Sequence, residues 1–294
     1  MYSQIDSNKR KSVLLLMVAA ALVVGLGYIF SLARGGNGYD GLFIGVLLSF
    51  GITSISYFQG DKIALMTSGA KSATKEDNRY VYNMLENLCI TAGTPMPKLY
   101  IIEDSAINAF ATGRKPETAS IAVTRGAIEK LENEELEGVL AHELSHIKNY
   151  DIRFMMLVAV LVGSISIMAN LFLHTGHLSR RDNNREGGNI TAVFAIIGVI
   201  LAILSPIIAE IIKLAVSRRR EYLADASGAL ITRYPEGLAR ALEKISSQNQ
   251  PMAQASQATA HLFISSPFSG KKFAGLFSTH PPVEDRIKKL REMA

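Results

Sequence analysis

His142-Glu143-Leu144-Ser145-His146 decides how this chain is read. The five residues sit in a strongly helical stretch. A helical turn takes about 3.6 residues, so His142 and His146 project from one face and can share a metal ion, with Glu143 placed to take a proton from a water at that metal. The preceding Asn133-Glu134-Glu135 reads as the helix start, with Asn133 as cap and acidic residues at the positive end of the helix dipole. Leu136, Val139, Leu140, Leu144 and Ile147 form the packing stripe, and the two histidines lie beside it.

A catalytic zinc needs a third protein ligand and an open position. A third histidine six residues past His146 would follow a glycine, but Asn149 and Ile152 occupy those places. An acidic ligand from later in the chain is therefore expected. Arg220-Glu221-Tyr222-Leu223-Ala224-Asp225 supplies two carboxylates four residues apart, on one helix face. Glu221 is read as the third ligand. Asp225 is read as the acceptor that fixes the ring of a ligand histidine. The site takes one Zn2+ per subunit.

Before this helix, Val81 to Ile90 reads as helical and ends at Gly93-Thr94-Pro95-Met96-Pro97. Residues 98–102, 109–111 and 120–124 read as strands of a small sheet. Asn108, Ala109 and Phe110 form a candidate edge strand for an extended peptide substrate.

The chain has 294 residues, 48% of them hydrophobic, with the apolar residues gathered in four runs. Val13 to Leu32 is an uncharged run of a length that crosses a bilayer as a helix, longer than the apolar core of a secretory leader. Leu42 to Phe58 pairs with it through a glycine-rich connection. Phe154 to Leu173 and Ile190 to Ala209 form a second hairpin. The expected layout is a membrane hairpin (residues 1–58), a catalytic part (59–153), a second hairpin (154–212) and a second catalytic part (213–294). Two crossings separate His146 from Glu221, so both fall on one membrane face. Lys9, Arg10 and Lys11, with Lys148, Arg153, Lys213 and Arg218 to Arg220, put that face and both termini in the cytoplasm; Arg180, Arg181 and Arg185 weigh against this.

The net charge of +5 arises at the flanks of the apolar runs, so nucleic acid is not an expected partner. The single cysteine, Cys89, allows no intrachain disulfide and falls on the stripe with Val81, Leu85 and Leu88. The sequence leaves the oligomeric state open.

Taken together, the histidine helix, the late Arg220–Asp225 segment, Asn108-Ala109-Phe110-Ala111-Thr112-Gly113 and Ser278-Thr279-His280-Pro281-Pro282 resemble the HtpX-type membrane zinc endopeptidases, gluzincin-type relatives of the CAAX prenyl proteases. The resemblance implies a mainly α integral-membrane protein, with four transmembrane helices and a cytoplasmic α+β zinc-protease domain with a small sheet. It implies cleavage of membrane or unfolded polypeptides, misfolded ones above all, as stress-response quality control at a prokaryotic inner membrane. His142, His146 and Glu221 are then the ligands and Glu143 the general base. His280 and Arg286 are expected to stabilise the transition state. The competing reading is a catalytically silent membrane scaffold or chaperone-like protein.

Overall fold

The computed structural model describes residues 2–33, 36–161, 218–248, 250–256, 259–268 and 281–293. Two long helices come first, α1 (Tyr2–Ala33) and α2 (Tyr39–Thr67). They pack as a hairpin on small residues. A Cβ added at Gly41 would lie 2.0 Å from the Gly27 carbonyl oxygen, and one at Gly45 would lie 2.9 Å from Val24 Cα. Gly41, Gly45, Ser49, Ser56, Gly60 and Ala64 form the buried stripe of α2, the small-residue pattern that lets helix backbones approach within a bilayer. The outward surface is the reverse: Val13, Leu14, Met17, Phe43, Leu47, Leu48, Phe50 and Phe58 are all more than half exposed. Among the described residues, α2 is the helix that meets the length and hydropathy needed to cross a membrane.

The second helix does not stop where its apolar run does. α2 continues past Phe58, and its Ala64 and Leu65 are buried against Ile102, Phe110 and Phe263. The expected boundary at residues 58–59 therefore falls inside a continuous helix that enters the catalytic part.

A four-stranded sheet follows, with strands β1 (Ala70–Ser72), β2 (Lys98–Ile102), β3 (Ala109–Thr112) and β4 (Ser120–Thr124) in the order β1-β2-β4-β3. The β2–β4 pair is parallel and the other two are antiparallel. All of β4 is buried. Its Ile121 and Val123 enter one core and its Ala122 another, so both sheet faces are covered.

The larger core joins the sheet to α3 (Arg79–Ala92), α5 (Asn133–Lys148) and α7 (Pro235–Gln248). In α3 the Asn78 side chain accepts the Val81 amide, and Gly93 closes the helix at φ 63°. Cys89 lies in this core, and burial pushes its thiol up to about 11, as for a packing residue. α4 (Arg125–Lys130) leads into α5. The cap of α5 differs from expectation. Glu132 is the N-cap, and the Glu135 carboxylate accepts the Glu132 amide at 2.8 Å. Asn133 instead accepts the Tyr80 hydroxyl.

Residues 151–161 are helical; those from Phe154 onward belong to the expected third run and pack Met156 and Leu157 beside Leu15 of α1. The remainder of that run and all of Ile190 to Ala209 lie outside the described residues. The chain resumes with α6 (Arg218–Thr232), α7 and α8 (Val283–Arg291).

Candidate metal centre

α5 and α6 cross closely, and that crossing builds the site. Gly228 faces the α5 backbone, where a Cβ would stand 3.1 Å from the His142 nitrogen. Ala224, one turn earlier, is fully buried. Small residues at these two positions let Glu221 and Asp225 reach the histidines.

His142 Nε2 and His146 Nε2 lie 3.2 Å apart, and the Glu221 carboxylate oxygens lie 3.8 and 3.6 Å from them respectively. All three side chains are buried. For a tetrahedral ion with bonds of about 2.0–2.1 Å, ligand atoms stand about 3.3 Å apart. The observed separations bracket that value.

The outer nitrogens sharpen the case. Each Nδ1 faces a carboxylate, His142 toward Asp225 Oδ1 at 2.9 Å and His146 toward Asp151 Oδ2 at 3.1 Å. The His142 contact is short but off the hydrogen-bonding line. With both Nδ1 atoms turned toward carboxylates, the two Nε2 atoms face each other across 3.2 Å, a separation that calls for a proton or a metal ion between them. Carboxylate–imidazole pairs of this kind orient metal-binding histidines. The donor set therefore fits a metal ion.

Electrostatics follow from burial and these pairs. Burial lowers His142, with Asp225 opposing. Burial would also lower His146, but Asp151 and Glu221 outweigh it and raise the ring to about 9. Glu143 is raised to about 7, chiefly by burial and against the pull of His146. Asp225 is held at about 2. Its burial is overcome by Arg286 and His142.

Arg286, expected to stabilise the transition state, is engaged by carboxylates of the site. Its Nε and Nη2 grip both Asp225 oxygens at 2.9 and 2.7 Å, and Nη1 lies 3.7 Å from Glu221. The guanidinium is 1% exposed. It lies against Asp225 and Glu221, where it holds the Asp225 carboxylate in place. His280 lies outside the described residues.

The expected substrate edge is also altered. β3 is an edge strand of the sheet, but Ile264 already donates to the Ala109 carbonyl at 2.9 Å, and Phe110 bridges Phe263. Asn108 donates through its side chain to the Ser265 carbonyl. Residues 108–110 are thus taken by the chain's own segment 263–265. Alternation along an antiparallel strand turns the Ala111 amide and carbonyl to the same outer edge as those of Ala109. There the Ala111 amide opposes the upward shift of Glu143.

Asp151 was not anticipated. A ligand histidine on a helix needs a partner for its second nitrogen, and an acidic residue just past the helix end was the available signal.

Two histidines and a carboxylate converging on one point, with a buried glutamate between the histidines, define a metal-dependent peptidase. Comparison with known proteins agrees. Residues 75–294 match Peptidase family M48, and the chain belongs to that family; it is a metalloprotease. It is 42% identical to the Protease HtpX homolog of Dictyoglomus thermophilum, covering 99% of this chain and 94% of that one. It is 45% identical to the Protease HtpX homolog of Tropheryma whipplei strain TW08/27, covering 100% and 98%. The crystal structure of S. mikatae Ste24p shares the fold at TM-score 0.51 and 18% identity, covering 99% of this chain and 67% of that one.

Proposed function

We propose that this chain is an integral-membrane zinc endopeptidase that hydrolyses peptide bonds of membrane proteins, misfolded or damaged ones foremost. The observation that carries it is the convergence of His142, His146 and Glu221 around one point beside Glu143. In this reading the helical hairpin of α1 and α2 and a second hairpin at residues 154–212 form four spans. The catalytic parts, residues 59–153 and 213–294, meet on the cytoplasmic face.

Bound by His142, His146 and Glu221, a zinc ion supplies Lewis acidity, polarising the scissile carbonyl and acidifying a nearby water. Glu143 takes the proton from the attacking water and returns it to the leaving amine. In the metal-free site burial raises this carboxyl, which favours it as a proton acceptor. Asp225 and Asp151 hold the two imidazoles in the tautomer that leaves Nε2 free for the metal, and Arg286 holds Asp225 ionised.

The test uses full-length protein in detergent with casein and a membrane protein as substrates, with and without chelator. Cleavage that is abolished by chelator and restored by zinc is expected. Glu143→Gln should retain zinc while losing about 100-fold or more in turnover. Substrate binding without cleavage at any metal loading would favour the silent scaffold instead.

A further inference from the structure

The turn behind His146 is held from the far N-terminus. α5 ends at Lys148, Tyr150 takes a left-handed φ of 60°, and Asp151 opens the next helical stretch. That left-handed residue carries a Cβ and is strained there, so its neighbours must hold it. Only through that turn does the Asp151 carboxylate come back to His146.

The hold comes from α1. The Asn8 side-chain amide donates to the Asn149 carbonyl at 3.0 Å and to Asp151 Oδ1 at 2.7 Å. Both of its N–H groups are therefore used on the turn. Lys9 Nζ lies 4.7 Å from the centre of the Tyr150 ring. Asn8 is 3% exposed, at the otherwise charged end of its helix. Asp151 is thus shared, with Oδ1 on Asn8 and Oδ2 on His146. Arg220 Nε is farther from the same Oδ1, at 3.9 Å, and gives a looser hold.

We propose that Asn8 is a positioning residue of the metal centre: its amide fixes Asp151, and Asp151 fixes the ring of His146. The first hairpin helix is then a working part of the site as well as an anchor. This rests on His142, His146 and Glu221 being the ligands, and metal affinity should depend on α1 being seated against residues 149–151. An aspartate at position 8 would set a second carboxylate against Asp151. A leucine would fill the space and donate nothing.

The experiment measures zinc affinity of the full-length protein in detergent, by competition with a chromophoric chelator, and records the visible spectrum of the cobalt-loaded protein. Loss of a ligand's hydrogen-bond partner costs about 10–100-fold in affinity, so Asn8→Leu and Asn8→Asp, one step further out, should bind about tenfold more weakly and shift the cobalt bands. Lys11→Ala, at an exposed position of the same helix, should match the parent. Affinities within twofold of the parent for both Asn8 variants, with an unchanged cobalt spectrum, would overturn the proposal. If Asn8→Leu or Asn8→Asp does not fold, Asn8→Ala, a helix former that adds neither bulk nor charge, decides: zinc binding about tenfold weaker supports the proposal, and binding within twofold of the parent overturns it. Glu221→Ala tests the underlying reading separately, since unaltered zinc affinity there would remove the metal centre itself and leave Asn8 nothing to position.

Discussion

Replacing Arg286 by methionine should unseat the rear of the metal site. The guanidinium is fully buried, bonded through two nitrogens to Asp225 and 3.7 Å from Glu221. Methionine fills much of the same volume and leaves both carboxylates without their cation. Two routes give the size of the effect. Removing one partner of a buried pair costs about 3–5 kcal/mol. Independently, Asp225 is held at about 2, against an ordinary value of 3.8. At 1.36 kcal/mol per pH unit, that depression contributes about 2–3 kcal/mol at neutral pH. The sign is that of a lowered carboxylate. The contribution is fully present above about pH 4 and is lost as pH falls through about 2. Unfolding should be followed in detergent by chemical denaturation of the metal-free protein, across pH 2–7. The parent should lose stability on the acid limb, and Arg286→Met should begin about 3 kcal/mol lower with a flattened limb. Arg286→Lys keeps the charge without the fork and should fall between them. If Arg286→Met were as stable as the parent, with the same acid limb, the pairing with Asp225 would not be what holds this part of the site.

Zinc must displace the proton that Asp151 and Glu221 hold on His146, whose ring is raised to about 9. Apparent zinc affinity should therefore tighten about tenfold per pH unit up to that value, checked by chelator competition at pH 6, 7 and 8. In the metal-free protein the same raised ring contributes stability that is complete below about pH 6.5 and lost as pH rises through 9, a loss that melting curves in chelator should record. Gly41→Ala puts a Cβ against the Gly27 carbonyl. It should lower the melting temperature in detergent by several degrees, for a cost of about 1–3 kcal/mol.

The histidine helix is legible in the sequence because its information is local. Helical period alone puts His142 and His146 on one face, and the same period picks out Leu136, Val139, Leu140, Leu144 and Ile147, all of them buried. Glu221 can be reached by coordination arithmetic, since two histidines leave a ligand wanting. The edge strand cannot be judged that way. Its occupant, residues 263–265, carries no strand pattern and joins β3 by a single bridge and a few hydrogen bonds. Asp151 depends on a left-handed Tyr150, a conformation that nothing in its side chain favours. Asn8 lies 143 residues before the carboxylate that it holds. Arg286 is picked out in the sequence as a transition-state partner, but its fork on Asp225 depends on the packing of α8 against α6, which no local pattern shows.

X-ray absorption at the zinc edge of the loaded full-length protein tests the centre most directly. The account predicts one zinc per chain in a shell of nitrogen and oxygen at about 2.0–2.1 Å, with the scattering of two imidazoles, and loss of the ordered shell in Glu221→Ala. A shell containing sulfur, a single imidazole, or a spectrum unchanged by Glu221→Ala would contradict it.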